Sequence, residues 1–197
     1  MKIIHILYSG MGGHGDVVFP KIEKDKENNN IIFFVGIENV FSNYISLCKK
    51  YKIKYYYFDY KNKINYFFGI LKTLNKIKPN IIFSHIESVF LLLIYRLLNP
   101  SVKLLSFQHI SLKIKKFKNH LLNFFEYIFF DKIIFLSKSY KKKILQKYKY
   151  LNLQEKSVVI PTGLKPTKFI SKKINKRKIY VGMSTRFVKG KKIFIFL

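Results

Sequence analysis

Apolar residues occur along this chain in short continuous runs of strand length. They do not alternate with polar residues, as they would in a sheet with one solvent-exposed face. Continuous runs are typical of parallel strands that helices cover on both faces. We therefore predict seven strands of one parallel sheet. The runs are KIIHILY (2–8), IIFFVG (31–36), IKYYYF (53–58), NIIFSH (80–85), VKLLSF (102–107), KIIFLS (132–137) and KSVVIP (156–161).

Stretches with helical spacing separate the later runs. Between residues 111 and 130, apolar side chains recur at intervals of three and four, and residues 138–151 repeat this pattern. Ser137 stands directly before the second stretch and is a predicted N-cap. Strand alternating with helix predicts an α/β fold, a Rossmann-like doubly wound parallel sheet.

The composition changes after residue 160. The segment 161–178 holds two prolines, a glycine and a dense basic run, and 178–184 has the pattern of a new first strand. A lone strand with its loop cannot form a domain. We predict a Rossmann-like domain over 1–165, a basic linker over 166–177, and the first strand and loop of a truncated second domain over 178–197.

The formal net charge of +28 is typical of proteins that bind anionic partners. However, all but three of the 38 basic residues are lysine and alanine is absent, as expected from A/T-rich codons. Arginine, which suits base readout, is scarce. We therefore expect no nucleic acid partner. The lysines cluster within 111–150 and 156–192, which favours phosphorylated ligands or an anionic membrane surface.

Cys48 is the only cysteine, which excludes an internal disulfide and suits a reducing compartment. The apolar run after Lys2 is too short for a secretory signal. The run VFLLLIYRLL (89–98) is about half the length of a membrane span and contains Arg96. We expect a cytoplasmic protein.

Ligands of open parallel sheets bind at the carboxyl ends of the strands. His85 and His109 fall at the ends of two predicted strands, and His14 lies in the glycine-rich loop after the first. Three of the five histidines are thus predicted at one edge of the sheet. Each taken alone also fits an ordinary polar loop residue.

The glycine-rich loop matches the dinucleotide-binding pattern at Gly10, Gly12 and Gly15, with Glu38 at the distance of a ribose contact. An NAD(P)-binding Rossmann protein is therefore one hypothesis. Against it, we expect Pro20 to interrupt the helix whose N-terminus would hold the phosphates. A plain turn with positive φ angles explains one or two glycines, and the close approach of another ligand explains more.

Taken in order, six segments resemble the motifs of GT-B glycosyltransferases of the family-4 type. These segments are ILYSGMGGHGDVVF (6–19), KPNIIFSH (78–85), LLSFQHIS (104–111), DKIIFLSKSYKKKIL (131–145), VVIPTGLKPTKF (158–169) and VGMSTRFVKGKK (181–192). Thr162 departs from the family's asparagine, and the spacing from Arg186 to its lysine fits Lys189 or Lys191. The resemblance implies a later pair of glutamates, which would lie beyond residue 197.

The resemblance implies a retaining transferase that moves a sugar from a nucleotide-sugar donor to a glycan or lipid-linked acceptor, without a metal or resident cofactor. It implies that Gly12, Gly13 and His14 line the cleft, with His85 also at the substrate. His109 would contact the transferred sugar as the catalytic residue. Arg186 with Lys189 or Lys191 would neutralise the leaving diphosphate, because fixed cations stabilise that developing charge.

We therefore expect the acceptor-binding domain and a fragment of the donor domain of a bacterial enzyme for capsule, lipopolysaccharide or a similar glycan, with little activity alone. Two alternatives stay open, the NAD(P)-binding protein and a non-enzymatic basic binding module. The lysine-rich helices within 111–130 and 138–150 are either ordinary sheet-covering helices or a docking surface. In the second case the protein would sit peripherally on the cytoplasmic face of the inner membrane.

Overall fold

The computed structural model describes residues 1–10, 14–86, 88–109 and 117–161, and within them a seven-stranded sheet and six α-helices. The strands are β1 Lys2–Tyr8, β2 Asn29–Gly36, β3 Lys54–Asp59, β4 Ile81–Ser84, β5 Lys103–Gln108, β6 Lys132–Phe135 and β7 Ser157–Val159. The helices are α1 His14–Lys24, α2 Ser42–Lys50, α3 Lys63–Ile77, α4 Val89–Leu98, α5 Phe117–Phe129 and α6 Lys138–Lys147, with a 3-10 turn at Lys149–Leu151.

The seven strands pair in the order β3-β2-β1-β4-β5-β6-β7, and every pair is parallel. The order reverses beside β1, which pairs with β2 on one side and with β4 on the other. All seven predicted strands are present, so the predicted doubly wound α/β fold is confirmed. The reversal creates a crevice at the carboxyl ends of β1 and β4, where such sheets bind ligands.

Helices cover the sheet from both sides. On one face, Leu7, Ile32 and Phe34 pack against residues of α1 and α2. On the other face, Ile6 and Leu104 belong to a larger core that also contains residues of α3, α4, α5 and α6. Burial on both sides explains why the strands are continuously apolar.

Every described residue lies within Met1–Lys165, which forms one compact unit. The predicted linker and second domain lie outside the described residues, so these assignments stay predictions. No helix in the described ranges is long and apolar enough to cross a membrane.

Local signals set the helix ends. The Ser137 side chain accepts a hydrogen bond from the Tyr140 backbone N–H at 3.2 Å, as predicted for an N-cap.

The expectation that Pro20 interrupts the first helix is wrong, since α1 runs from His14 through Pro20 to Lys24. A proline removes its own N–H bond and crowds the carbonyl four residues before it, but the buried apolar side chains Val18, Phe19 and Ile22 hold this helix on the sheet.

An ion pair joins α4 to the start of β6. The Arg96 guanidinium contacts the Asp131 carboxylate at 2.9 Å and also donates to the Phe129 carbonyl at 2.7 Å. Asp131 in turn accepts a hydrogen bond from the Leu104 backbone N–H at 2.9 Å. The pair thereby fixes the ends of α4 and α5 to the sheet.

A buried histidine lies inside the sheet at β1. The His5 ring stacks on Phe83 with 5.0 Å between the ring centroids, and His5 Nε2 lies 3.2 Å from Asn30 Oδ1. Because the Asn30 amide nitrogen donates to Asp25 at 3.0 Å, its oxygen faces His5 and accepts from the Nε2–H. His5 Nδ1 has no hydrogen-bond partner among the described residues. Burial therefore lowers the pKa of His5 to about 4.

This arrangement predicts a defined acid sensitivity. The unfolded chain binds a proton at His5 near pH 6.5 and the folded chain near pH 4, so stability falls as the pH drops through this window. The full effect of His5 is about 3 kcal/mol. His5→Gln keeps a donor for Asn30 but cannot titrate. Urea unfolding at a series of pH values should show that the variant loses less free energy of unfolding than wild type as the pH falls. Parallel curves of unfolding free energy against pH for the two proteins would contradict the assignment.

Candidate functional site

Two histidines meet at the carboxyl edge of the sheet. His85 follows β4 and His109 follows β5, and His85 Nδ1 lies 3.2 Å from His109 Nε2. The His85 ring stacks on Phe107 with centroids 4.4 Å apart, and its backbone N–H donates to the Ile6 carbonyl at 3.1 Å. The structure thus brings together the two histidines that the sequence predicted at this edge.

The two imidazoles differ in exposure, which separates their possible roles. The His85 side chain is buried and the His109 side chain is partly exposed. In the neutral pair, one of the two contacting nitrogens carries the proton and the other accepts it. His85 can therefore orient the ring of His109, and His109 is the member of the pair that a ligand can reach.

A buried polar network surrounds Gln108, the residue before His109 in the chain. The Gln108 amide nitrogen donates to the Glu126 carboxylate and to the Ser106 hydroxyl, both at 3.0 Å. Glu126 is buried in α5. The burial of Tyr140 raises the pKa of the Tyr140 hydroxyl to about 12, and the charge of Glu126 adds to this shift. The sequence analysis did not identify Glu126 as a site residue. An acid within the apolar segment NFFEYIFF (123–130) is the signal that could have found it.

A cavity of about 380 Å³ opens at the same edge of the sheet, at the ends of the first strands. Its wall combines aromatic rings with one carboxylate. The lining residues are Tyr8, Val35, Gly36, Ile37, Glu38, Tyr60, Tyr66 and Ile86. Burial raises the pKa of Tyr66 to about 12, so its hydroxyl stays protonated. The cavity therefore offers flat apolar surfaces, hydroxyl donors and a carboxylate acceptor.

The described glycines of the loop serve packing within the protein. A side chain at Gly10 would overlap the Glu38 carboxylate and the Tyr8 ring, and a side chain at Gly15 would overlap the ring of Tyr44. No glycine among the described residues has a positive φ angle. The plain-turn hypothesis therefore does not explain Gly10 or Gly15, whose missing side chains allow close contact between neighbouring segments.

The remaining predicted site residues are not placed by the structure. Gly12, Gly13, Arg186, Lys189 and Lys191 lie outside the described residues. His14 begins α1, and its side chain is outside the described part of the chain. The roles of these residues stay predictions.

No protein-family profile and no curated protein sequence matches the chain. Solved structures do match. The lipopolysaccharide outer core galactosyltransferase WaaB matches with a TM-score of 0.67 and 19% identity, over 90% of this chain and 50% of that protein. HepE of Anabaena in complex with UDP matches with a TM-score of 0.64 and 13% identity, over 83% of this chain and 44% of that protein. MurG of Acinetobacter baumannii matches with a TM-score of 0.55 and 12% identity, over 85% of this chain and 47% of that protein.

These matches have one fold in common. The chain has the fold of the amino-terminal half of a GT-B glycosyltransferase. It spans about half the length of the proteins that it matches. The amino-terminal domain fold of a GT-B protein, expected from the sequence motifs, is thereby confirmed.

The glycine contacts predict opposite effects for two alanine substitutions. Gly15→Ala should destabilise the protein by about 1 to 3 kcal/mol, because the new methyl group overlaps the buried Tyr44 ring. Gly69→Ala in α3 meets only ordinary contacts with Phe58 at 3.6 Å. This control should stabilise the helix by about 0.5 to 1 kcal/mol. Urea unfolding measures both, and a neutral Gly15→Ala would contradict the packing role.

Proposed function

We propose that this protein is a glycosyltransferase, or part of one, that takes a sugar from a nucleotide-sugar donor. The observation that carries the proposal is the contact between His85 and His109. The two residues lie at the carboxyl edge of the parallel sheet, in a domain with the fold of the amino-terminal half of a GT-B glycosyltransferase. A partly exposed imidazole that a second ring holds in place can donate a hydrogen bond to a sugar hydroxyl. The likeness to HepE in complex with UDP supports a nucleotide-linked donor.

The proposed reaction exchanges one glycosidic bond for another. The bond from the anomeric carbon to the diphosphate breaks, and the bond from this carbon to an acceptor hydroxyl oxygen forms as the hydroxyl proton passes to an oxygen of the departing diphosphate. Negative charge develops on the diphosphate, which Arg186 with Lys189 or Lys191 would neutralise by the family resemblance. His109 would contact the transferred sugar, and Gly12, Gly13 and His14 would line the cleft.

The cavity beside Tyr8 and Glu38 is the proposed acceptor site. Its volume of about 380 Å³ falls in the range of ligand pockets, which is roughly 300 to 1,000 Å³. Aromatic rings can pack on the C–H face of a sugar, while the carboxylate and the tyrosine hydroxyls form hydrogen bonds with its hydroxyls.

The finer parts of the proposal come from the sequence motifs. They are membership of the family-4 type, retention of configuration, a bacterial surface glycan or lipid-linked acceptor, and the absence of a resident cofactor. Peripheral contact with the cytoplasmic face of the inner membrane belongs to the same proposal. The likeness to WaaB, a lipopolysaccharide galactosyltransferase, supports a surface-glycan acceptor.

Dinucleotide binding is the second candidate, since Glu38 lies beside Gly10 and α1 continues through Pro20. Both features fit a site for a ribose and a diphosphate. Against this candidate, the packing of Gly10 and Gly15 against side chains of the protein itself already accounts for two of the three motif glycines.

Calorimetric titration separates these two functions. We expect binding of UDP-glucose, UDP-galactose or GDP-mannose, and none of NADH or NADPH at the same concentrations. His109→Ala should weaken nucleotide-sugar binding about fivefold, as expected for the loss of one hydrogen bond. His120→Ala is the matched control, because His120 contacts Lys147 in the helical layer instead of His85.

Two outcomes would overturn the proposal. Tight NADH binding that is lost in Gly12→Val would establish the dinucleotide function. Equal nucleotide-sugar binding by wild type and His109→Ala would show that His109 does not contact the nucleotide-sugar.

A further inference from the structure

The cavity beside Tyr8 and Glu38 combines aromatic rings with a negative charge. The Tyr60 and Tyr66 rings meet edge to face, with their centroids 4.9 Å apart and their planes at 72°. The Tyr8 ring lies in the same wall and packs closely against Gly36, whose missing side chain leaves room for it. Three tyrosine rings and one carboxylate therefore line the described part of a volume of about 380 Å³.

Glu38 supplies the one charged side chain in the described lining of this cavity. The side chain is exposed and forms no ion pair with any described residue. Desolvation raises the pKa of Tyr8, and a hydrogen bond between its hydroxyl and the Glu38 carboxylate adds to this shift. A carboxylate accepts several hydrogen bonds, so Glu38 keeps acceptor capacity for a ligand. Such a cavity is unexpected in a chain with 38 basic and 10 acidic residues.

Backbone hydrogen bonds hold the walls of the cavity in place. The Ser9 hydroxyl donates to the Glu38 carbonyl at 2.6 Å, and the Phe41 N–H donates to the Ser9 carbonyl at 2.9 Å. On the other side, the Tyr60 N–H donates to the Gly36 carbonyl at 3.0 Å. The carboxylate and the rings are thus attached to the same end of β2, and this preorganisation lowers the entropy cost of binding a ligand.

We infer that this cavity selects a ligand with a positively charged amino group, so that the sugar acceptor carries an ammonium group, as an amino sugar with an unacylated amine does. A cation is attracted to the faces of tyrosine rings within about 6 Å, and a carboxylate adds a direct Coulomb attraction. A neutral sugar could pack on the rings but would leave the Glu38 carboxylate without a counter-charge. Only the assignment of this ligand as the acceptor rests on the proposed function.

The net charge of +28 does not prevent the selection of a cation. Exposed charges that lie more than about 8 Å apart are largely screened at physiological ionic strength. Lys61 and Lys63 follow Tyr60 in the chain, but both are exposed and neither lines the cavity. The Glu38 carboxylate is therefore the charged group that a ligand inside the cavity meets.

The cavity adjoins the histidine pair through Ile86. This residue follows His85 in the chain and lines the cavity, and its carbonyl accepts a hydrogen bond from the Ser84 hydroxyl at 2.6 Å. The amine-binding cavity and the proposed contact of His109 with the transferred sugar are thus neighbours at one edge of the sheet. Transfer between two bound sugars requires such neighbouring sites.

NMR titration, which measures weak binding, compares charged and neutral ligands of similar shape. We expect choline to bind about fivefold or more tightly than dimethylbutanol, in which a carbon atom replaces the nitrogen of choline. Glucosamine should likewise bind more tightly than glucose and N-acetylglucosamine, because these two sugars carry no positive charge.

Two variants assign the binding to this cavity. Glu38→Gln removes the charge but keeps an oxygen that accepts from the Tyr8 hydroxyl, and it should weaken choline binding about threefold. Tyr60→Leu removes one ring at a residue that is 44% exposed, and it should also cost about threefold. Circular dichroism checks that both variants are folded.

Matched controls remove the same groups elsewhere. Glu27→Gln neutralises an exposed acid just before β2, at the opposite edge of the sheet. Tyr150→Leu removes a ring that is 66% exposed in the 3-10 turn after α6. Both controls should bind choline like wild type.

Two results would overturn the inference. The first is a charged ligand that binds no more tightly than its neutral counterpart. The second is unchanged choline binding in Glu38→Gln or in Tyr60→Leu. Neither result bears on the binding of nucleotide-sugars by wild type, so the inference can fail while the proposed function stands. Choline binding without any nucleotide-sugar binding would support the selection of cations and overturn the proposed function instead.

Discussion

Pairing of β4 with β1 on one side and β5 on the other determines where the candidate site lies. Ser84 is in register with Ile6 and with Ser106, so β4 ends two residues before β5 does. His85 directly follows β4 and stacks on Phe107, and His109 directly follows β5, where its Nε2 lies 3.2 Å from His85 Nδ1. The same reversal of strand order leaves the crevice beside β1, where Tyr8 and Glu38 line the cavity. The site is therefore a product of sheet topology.

Burial on both faces made the strands predictable from sequence. Residues such as Ile32 and Phe33 point to opposite faces and are both fully buried, so the run shows no alternation. Strand ends were less predictable, because β2 begins at Asn29 and includes two asparagines. Asn30 is polar yet buried, since it joins His5 to Asp25 through hydrogen bonds. Such long-range partners are not visible in a local pattern.

The candidate site was predictable in its position more than in its contacts. Parallel strand ends place His85 and His109 at one edge, which the sequence indicated, but the 3.2 Å contact depends on strand register. The pattern around Gly15 indicated a ligand or a turn, whereas the structure places the Tyr44 ring there. Pro20 misled the prediction because tertiary packing outweighs the loss of one helical hydrogen bond.

The central claim is that His85 and His109 form one hydrogen-bonded pair that faces a nucleotide-sugar. Nitrogen-15 NMR of labelled histidines tests it most directly. The account predicts a scalar coupling between His85 Nδ1 and His109 Nε2, together with shifts of both rings, but not of His120, when a UDP-sugar is added. An absent coupling, or a UDP-sugar that leaves both rings unshifted, would contradict it.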